Sequence, residues 1–183
     1  MTNSKPIFAI VGRPNVGKST LFNYLVESRR SVVKNQPGVT RDIIFEEAEL
    51  WGKTFELVDT GGITEADDII STRIREHVIE FLKSVDYLLV VMDYKSGLCP
   101  EDREILRIAK ETGKDFLLIV NKVDKSQELD IAGAEFYEFG VPLVTCSFEH
   151  RNGVDRLLEW ISERLQGEET EEKSGFVFSI VGK

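Results

Sequence analysis

Residues Gly12-Arg-Pro-Asn-Val-Gly-Lys-Ser19 constrain this chain more than any other stretch. They fit G-x-x-x-x-G-K-[ST], a loop whose glycines let backbone N–H groups turn inward around phosphate oxygens. The apolar run Ile7-Phe-Ala-Ile-Val11 stands directly before it and reads as a buried strand. Lys18–Glu27 follows and reads as a helix. Strand, glycine loop and helix N-terminus in this order form an anion site. Gly12, Arg13, Pro14, Asn15, Val16, Gly17, Lys18, Ser19 and Thr20 are therefore the expected phosphate-binding residues. Lys18 can set a charge against the β- and γ-phosphates, and the Ser19 hydroxyl can ligate Mg²⁺.

The rest of the chain alternates between strand-like and helix-like segments. Ile43–Leu50 and Thr54–Asp59 read as a hairpin, and Val85–Met92, Phe116–Val120 and Val141–Thr145 as strands. Ile69–Lys83, Glu101–Thr112, a short piece at Gly133–Phe139, and Asn152–Leu165 read as helices. Ser28–Asp42 reads as a long loop. Continuous apolar strands between helices predict an α/β fold: a mostly parallel six-stranded sheet with helices on both faces. Ligands of such sheets bind beyond the carboxyl ends of the strands.

The 183 residues suffice for one domain with a proper core. Net charge is −9, which argues against direct nucleic-acid binding by this piece, since such binding relies on a basic face. No apolar run is long enough to span a membrane, and Cys99 and Cys146 form no metal or redox spacing. A cytoplasmic protein with reduced thiols is expected.

Three further motifs lie at strand ends. Asp59-Thr-Gly-Gly62 fits D-x-x-G: the Asp59 carboxylate can hold Mg²⁺ through water, and the Gly62 N–H can meet the γ-phosphate. Asn121-Lys-Val-Asp124 fits N-K-x-D. Asp124 can accept two hydrogen bonds from guanine N1–H and N2–H, an edge adenine lacks, and such a site discriminates by about 10⁴-fold. Asn121 would tie the base loop to the phosphate loop, and the Lys122 stem would cover the base. Thr40 in the long loop can complete the Mg²⁺ shell when the γ-phosphate holds that loop. Ser147 and Phe148 follow the last strand, where a base-closing turn belongs. Together with Thr60, Gly61, Ile63 and Val123, these residues make Mg²⁺·GTP the expected ligand.

The domain layout expected is 1–166 as the nucleotide-binding domain, 167–175 as an acidic linker with glycine at both ends, and 176–183 as the first strand of a second such domain. The last assignment rests on Phe176-Val-Phe-Ser-Ile-Val-Gly-Lys183, which repeats the region before the phosphate loop in register: Phe8, Ile10, Val11 and Gly12 recur as Phe178, Ile180, Val181 and Gly182.

With these motifs in order, the chain resembles the N-terminal GTPase domain of the EngA (Der) family, the tandem-domain branch of the Era-like GTPases. The carrying residues are Gly12–Asn23, Pro37–Asp42, Asp59–Gly62, Asn121–Asp124 and 176–183. The resemblance implies a Ras-like P-loop GTPase fold, GTP hydrolysis to GDP, and a switch role in assembling the large ribosomal subunit. It also implies a second G domain and a KH-like domain as partners within a longer chain. Phe148 departs from the family, which places a small residue after the serine. Ras-like GTPases carry a water-orienting glutamine where this chain has Ile63. Lys18, Thr40 and Gly62 then remain for catalysis, joined by Asn15, which related K⁺-dependent GTPases use as a K⁺ ligand. Asn15 as a residue that only shapes the loop is the other reading. A slow, K⁺-stimulated GTPase is expected; the alternative is a non-hydrolysing guanine-nucleotide sensor that regulates the second domain.

Overall fold

The computed structural model describes residues 5–27, 44–60 and 72–165. The strands are β1 (Ile7–Val11), β2 (Ile44–Leu50), β3 (Lys53–Asp59), β4 (Tyr87–Asp93), β5 (Asp115–Asn121) and β6 (Leu143–Thr145). The helices are α1 (Lys18–Glu27), α2 (Thr72–Ser84), α3 (Pro100–Glu111), the single turn α4 (Leu129–Ala132) and α5 (Val154–Arg164). The strands form one sheet in the order β2-β3-β1-β4-β5-β6, parallel except for the antiparallel β2–β3 hairpin.

Alternation along each strand divides the core into two layers. Phe8, Ile10, Leu57, Leu89, Val91, Leu117 and Ile119 pack under α1 and α5, against Leu21, Leu157, Trp160 and Ile161. Ala9, Val11, Val58, Leu88, Val90, Leu118 and Val120 pack under α2 and α3, against Val78, Leu82, Ile105 and Leu106. Helices thus cover both faces, as the unbroken apolar strands require. Phe8 centres the first layer: its ring lies 5.2 Å from Phe55 and 4.8 Å from Tyr87, and is fully buried. Truncating such a ring costs about 3–5 kcal/mol.

The strand order turns at β1, which has β3 on one side and β4 on the other. At that switch point the crevice opens beyond the carboxyl ends of the strands. Val11, Asp59, Asp93 and Asn121 are the last residues of β1, β3, β4 and β5, so one edge collects all four.

One element differs from expectation. A continuous helix over Gly133–Phe139 is replaced by α4, a cap at Gly133 and a 3₁₀ turn at Phe136–Phe139. Gly133 lies so close to Leu143 and to the Tyr137 ring that a Cβ there would meet them at 3.1–3.2 Å. Phe136 is buried in the core, Phe139 half-buried and Tyr137 exposed. The expected long loop, linker and second-domain strand at 28–42, 167–175 and 176–183 lie outside the described residues, as do Thr40, Gly61, Gly62 and Ile63.

Candidate functional site

The phosphate loop leaves β1 and re-enters regular structure at α1, and its path is set by close approaches. A Cβ on Gly12 would stand 2.5 Å from the Val91 carbonyl of β4. Gly17 has φ +105°, and a Cβ there would stand 2.3 Å from Asn121 Nδ2. Only glycine fits either position. Asn15 sits between them at φ +64°, a left-handed conformation that asparagine tolerates better than most residues. Pro14 and Asn15 are exposed at the tip, while the Val16 side chain is fully buried in the core and anchors the loop from beneath.

Lys18 opens α1 and is 5% exposed. Its Nζ donates to the Gly12 and Arg13 carbonyls, both at 2.8 Å, so the ammonium is held inside the ring of the loop. The Arg13 side chain turns away from the loop interior. Its Nε lies 3.1 Å from each Asp102 carboxylate oxygen, and its guanidinium also donates to Ser96. Asp102 is 1% exposed, in the first turn of α3, where it also accepts the Cys99 N–H at 3.0 Å. Burial pushes its carboxyl above the usual carboxylate range, against the opposing pull of the Cys99 N–H and Arg13. The Arg13 side chain thus braces the phosphate loop against α3.

Ser19 Oγ donates to Asp59 Oδ2 at 3.5 Å, which brings together two of the three expected Mg²⁺ residues. Ser19 is exposed and Asp59 nearly buried at the end of β3. Hard oxygen donors completed by phosphate and water suit Mg²⁺. Among the described residues no group of three His, Cys, Asp or Glu could hold a metal. Thr60 donates its hydroxyl to the Ile10 carbonyl at 2.7 Å, locking the end of β3 to β1.

The carboxamide of Asn121 joins the two halves of the site. Its Nδ2 donates to the Val16 carbonyl at 2.9 Å, and its Oδ1 accepts the Phe148 N–H at 3.1 Å. One buried side chain therefore fixes phosphate loop, base strand and closing turn against each other. Lys122 has φ +70°, and its Nζ reaches the Asn15 carbonyl at 2.6 Å and Asp93 Oδ2 at 2.7 Å. Its stem crosses from the end of β5 to the phosphate loop. Val123 is fully buried, and its N–H donates to the Cys146 carbonyl at 3.0 Å.

Asp124 faces the same crevice and is partly exposed. Lys95 Nζ lies 2.5 Å from its Oδ2, and Ser147 Oγ donates to its Oδ1 at 3.1 Å. The Lys95 hydrogen bond is the main cause that holds the Asp124 carboxyl below its usual range. The Asn152 carboxamide donates to the Asp124 carbonyl at 3.0 Å. Phe148 is 4% exposed, its ring in the core layer under α1 and α5. The bulk that departs from the family pattern is thus accommodated in the core, and its N–H serves the turn.

Sequence reasoning missed Asp93, Lys95 and Asp102. Asp93 carried a readable signal, a carboxylate closing an apolar strand. The partners of Lys95 and Asp102 lie far along the chain and depend on the β4–β5 register and on the docking of α3.

A glycine-rich loop on the switch strand, a lysine inside it, and an asparagine-tied base strand define a P-loop nucleotide-binding fold of the Ras type. The family model for the 50S ribosome-binding GTPases matches residues 7–122. GTPase Der of Acetivibrio thermocellus is 40% identical over 183 residues, and GTPase Der of Caldanaerobacter subterraneus 37%; each alignment covers 98% of this chain. The chain spans 42% of the length of these relatives. Among solved structures, an Era variant of Aquifex aeolicus bound to GDP and AlF4⁻ superposes with a TM-score of 0.67 at 28% identity, covering 87% of this chain and 56% of Era. The G domain of T. maritima FeoB gives 0.63 at 28% identity, covering 86% of this chain and 97% of its own. The chain belongs to the 50S ribosome-binding GTPase family, and its resemblance to the N-terminal GTPase domain of Der extends along nearly its whole length. No helix among the described residues is long and apolar enough to cross a membrane.

Proposed function

We propose that this chain binds Mg²⁺·GTP and hydrolyses it to GDP and phosphate, as the first G domain of a tandem GTPase acting in large-subunit ribosome assembly in the cytoplasm. The observation that carries the reading is the Asn121 bridge: three residues before the Asp124 carboxylate that would read guanine, Asn121 ties the phosphate loop at Val16 to the turn at Phe148. Asp124 would read guanine N1–H and N2–H, with Ser147 and Phe148 closing the turn and Lys122 covering the base. Lys18 and the backbone N–H groups of the loop at 12–20, where Pro14 has none to give, would hold the β- and γ-phosphates.

Ser19 and Asp59 would hold Mg²⁺, with Thr40 joining them in the triphosphate state. The ion supplies charge neutralisation at the transferring phosphoryl group. Thr40 and Gly62 would sense the γ-phosphate, so the segments at 28–42 and 63–68 change with its loss. Their output would pass to the second G domain and KH-like domain of a longer chain. The relatives' additional length supports a longer chain, and the family description supports the ribosomal partner.

With Ile63 in place of a glutamine, positioning of water falls to other groups. Asn15 as a K⁺ ligand beside the β- and γ-phosphates would supply charge there. The left-handed turn at Asn15 also accounts for the residue by loop shape alone, so the cation must be tested directly. Phosphate release is measured with K⁺, with Na⁺ and with neither. Slow turnover accelerated by K⁺ is expected. Equal rates in K⁺ and Na⁺ would remove the K⁺ role. Tight GTP binding with no phosphate release in any salt would favour the non-hydrolysing sensor.

A further inference from the structure

The Asp124 carboxylate is engaged on both oxygens by residues of this chain. Lys95 Nζ lies 2.5 Å from Oδ2. Ser147 Oγ donates to Oδ1 at 3.1 Å, and His150 Nε2 stands 3.7 Å from the same oxygen. Lys95 belongs to the loop after β4, and that loop is pinned beside the base strand. Asp93 pairs in register with Asn121, the Tyr94 N–H donates to the Asn121 carbonyl at 2.9 Å, and the Lys95 N–H donates to Asp93 Oδ1 at 2.9 Å. The main chain of Lys95 is therefore fixed, and its flexible stem delivers the ammonium to Asp124. The pair sits beside a second one, Lys122 with Asp93, so two lysines and two carboxylates cross between the ends of β4 and β5.

An ammonium offers three N–H donors and a full positive charge. It can therefore satisfy the oxygen that the donor edge of guanine would use. In-plane, two-point recognition of that edge needs both carboxylate oxygens. We propose that Lys95 sets the nucleotide affinity of this site: its ammonium occupies the base-reading carboxylate of Asp124, and guanine binds by displacing it. The inference rests on Asp124 being the base-reading residue.

The expected size follows from exposure. The Lys95 side chain is 59% exposed and Asp124 29%, so water screens the pair and competes for both groups. The site is then closed by its own lysine for part of the time, which lowers apparent affinity in proportion. Removing the ammonium should raise GDP affinity about threefold. A lysine that simply attracted phosphate would give the opposite sign.

The test is calorimetric titration of GDP into the wild-type chain, Lys95→Ala and Lys95→Met, with xanthosine diphosphate titrated into Asp124→Asn and Asp124→Asn/Lys95→Ala. The methionine keeps the apolar stem and removes only the charge. Both single Lys95 variants should bind GDP about threefold tighter, and the gain should shrink at high salt. In the Asp124→Asn background the neutral amide no longer holds the ammonium, so removing Lys95 should leave xanthosine diphosphate affinity unchanged. Equal or weaker GDP binding in both Lys95 variants would overturn the proposal, as would an equal gain in the Asp124→Asn background. If Asp124→Asn fails to take xanthosine diphosphate, the base reading falls, and this inference falls with it.

Discussion

The two ends of the candidate site are held by different physics. At the phosphate end the fixing groups are buried: Lys18 is 5% exposed with two loop carbonyls at 2.8 Å, and Arg13 is clamped by an Asp102 that is 1% exposed. At the proposed base end the backbone is equally well held, through Asn121 and the Val123–Cys146 bond, but the Asp124 side chain is partly exposed. Asp124 meets Lys95 at the surface, where water competes for the pair, and its other oxygen takes the hydroxyl of the buried Ser147. Buried polar contacts are expensive to break because the partner is left unsatisfied, whereas exposed pairs contribute little. The difference teaches that such a site can be rigid toward phosphate and exchangeable toward the base, with the asparagine bridge keeping the two in register.

The sharpest way to break the comparison is at the phosphate end. Lys18→Ala should weaken GTP binding by about a hundredfold or more, about 2.7 kcal/mol, because a charge held against phosphate is lost. Retained micromolar binding in a titration would show that the loop does not work as described. Asp102→Ala should cost about 2 kcal/mol in urea unfolding, since it strands the Arg13 guanidinium and an N-terminal helix N–H. Asp102→Asn should cost far less, because the amide oxygen still accepts both bonds. If the alanine variant is as stable as the wild type, the brace is not a structural contact.

Cys146 separates scaffold from reading side chain at the base end. It is fully buried directly before Ser147, and burial pushes its thiol up from 9.0 to about 12. An unfolded chain would lose that proton near 9.0, the folded chain only near 12. Between those values the native state binds more protons, so stability falls as pH rises, by about 1.4 kcal/mol per pH unit at most. Cys146→Ala should flatten that part of the curve, and an unchanged slope would mean the thiol is not sequestered. The smallest effect expected is the roughly threefold gain in GDP affinity on removing Lys95, which would place the looseness of the base end in a single side chain.

Much of the frame was legible in the sequence because strong local signals coincide with it. The boundaries of β1 and α1 follow from an unbroken apolar run, two glycines and a helical period, and the N-K-x-D asparagine was expected to tie the loops together, as it does. The turn at Gly133 was misread because its conformation answers to packing against Leu143 and Tyr137 and not to local periodicity. The ion pair of the Arg13 side chain with Asp102 was not legible, since nothing local announces a partner so far along the chain. Lys95 was silent for the same reason, since its meeting with Asp124 requires β4 and β5 to be neighbours in register. Side-chain pairings made by topology escape a reading of spacing and composition.

The central claim is that the phosphate loop and Asp124 grip the two ends of one guanine nucleotide. Comparing GTP and xanthosine triphosphate affinity in wild type and Asp124→Asn tests it most directly, because the substitution exchanges an acceptor for a donor at a single position and leaves the phosphate end untouched. The account predicts that the variant loses GTP affinity and gains affinity for the xanthine nucleotide. Undiminished GTP binding by Asp124→Asn would contradict it.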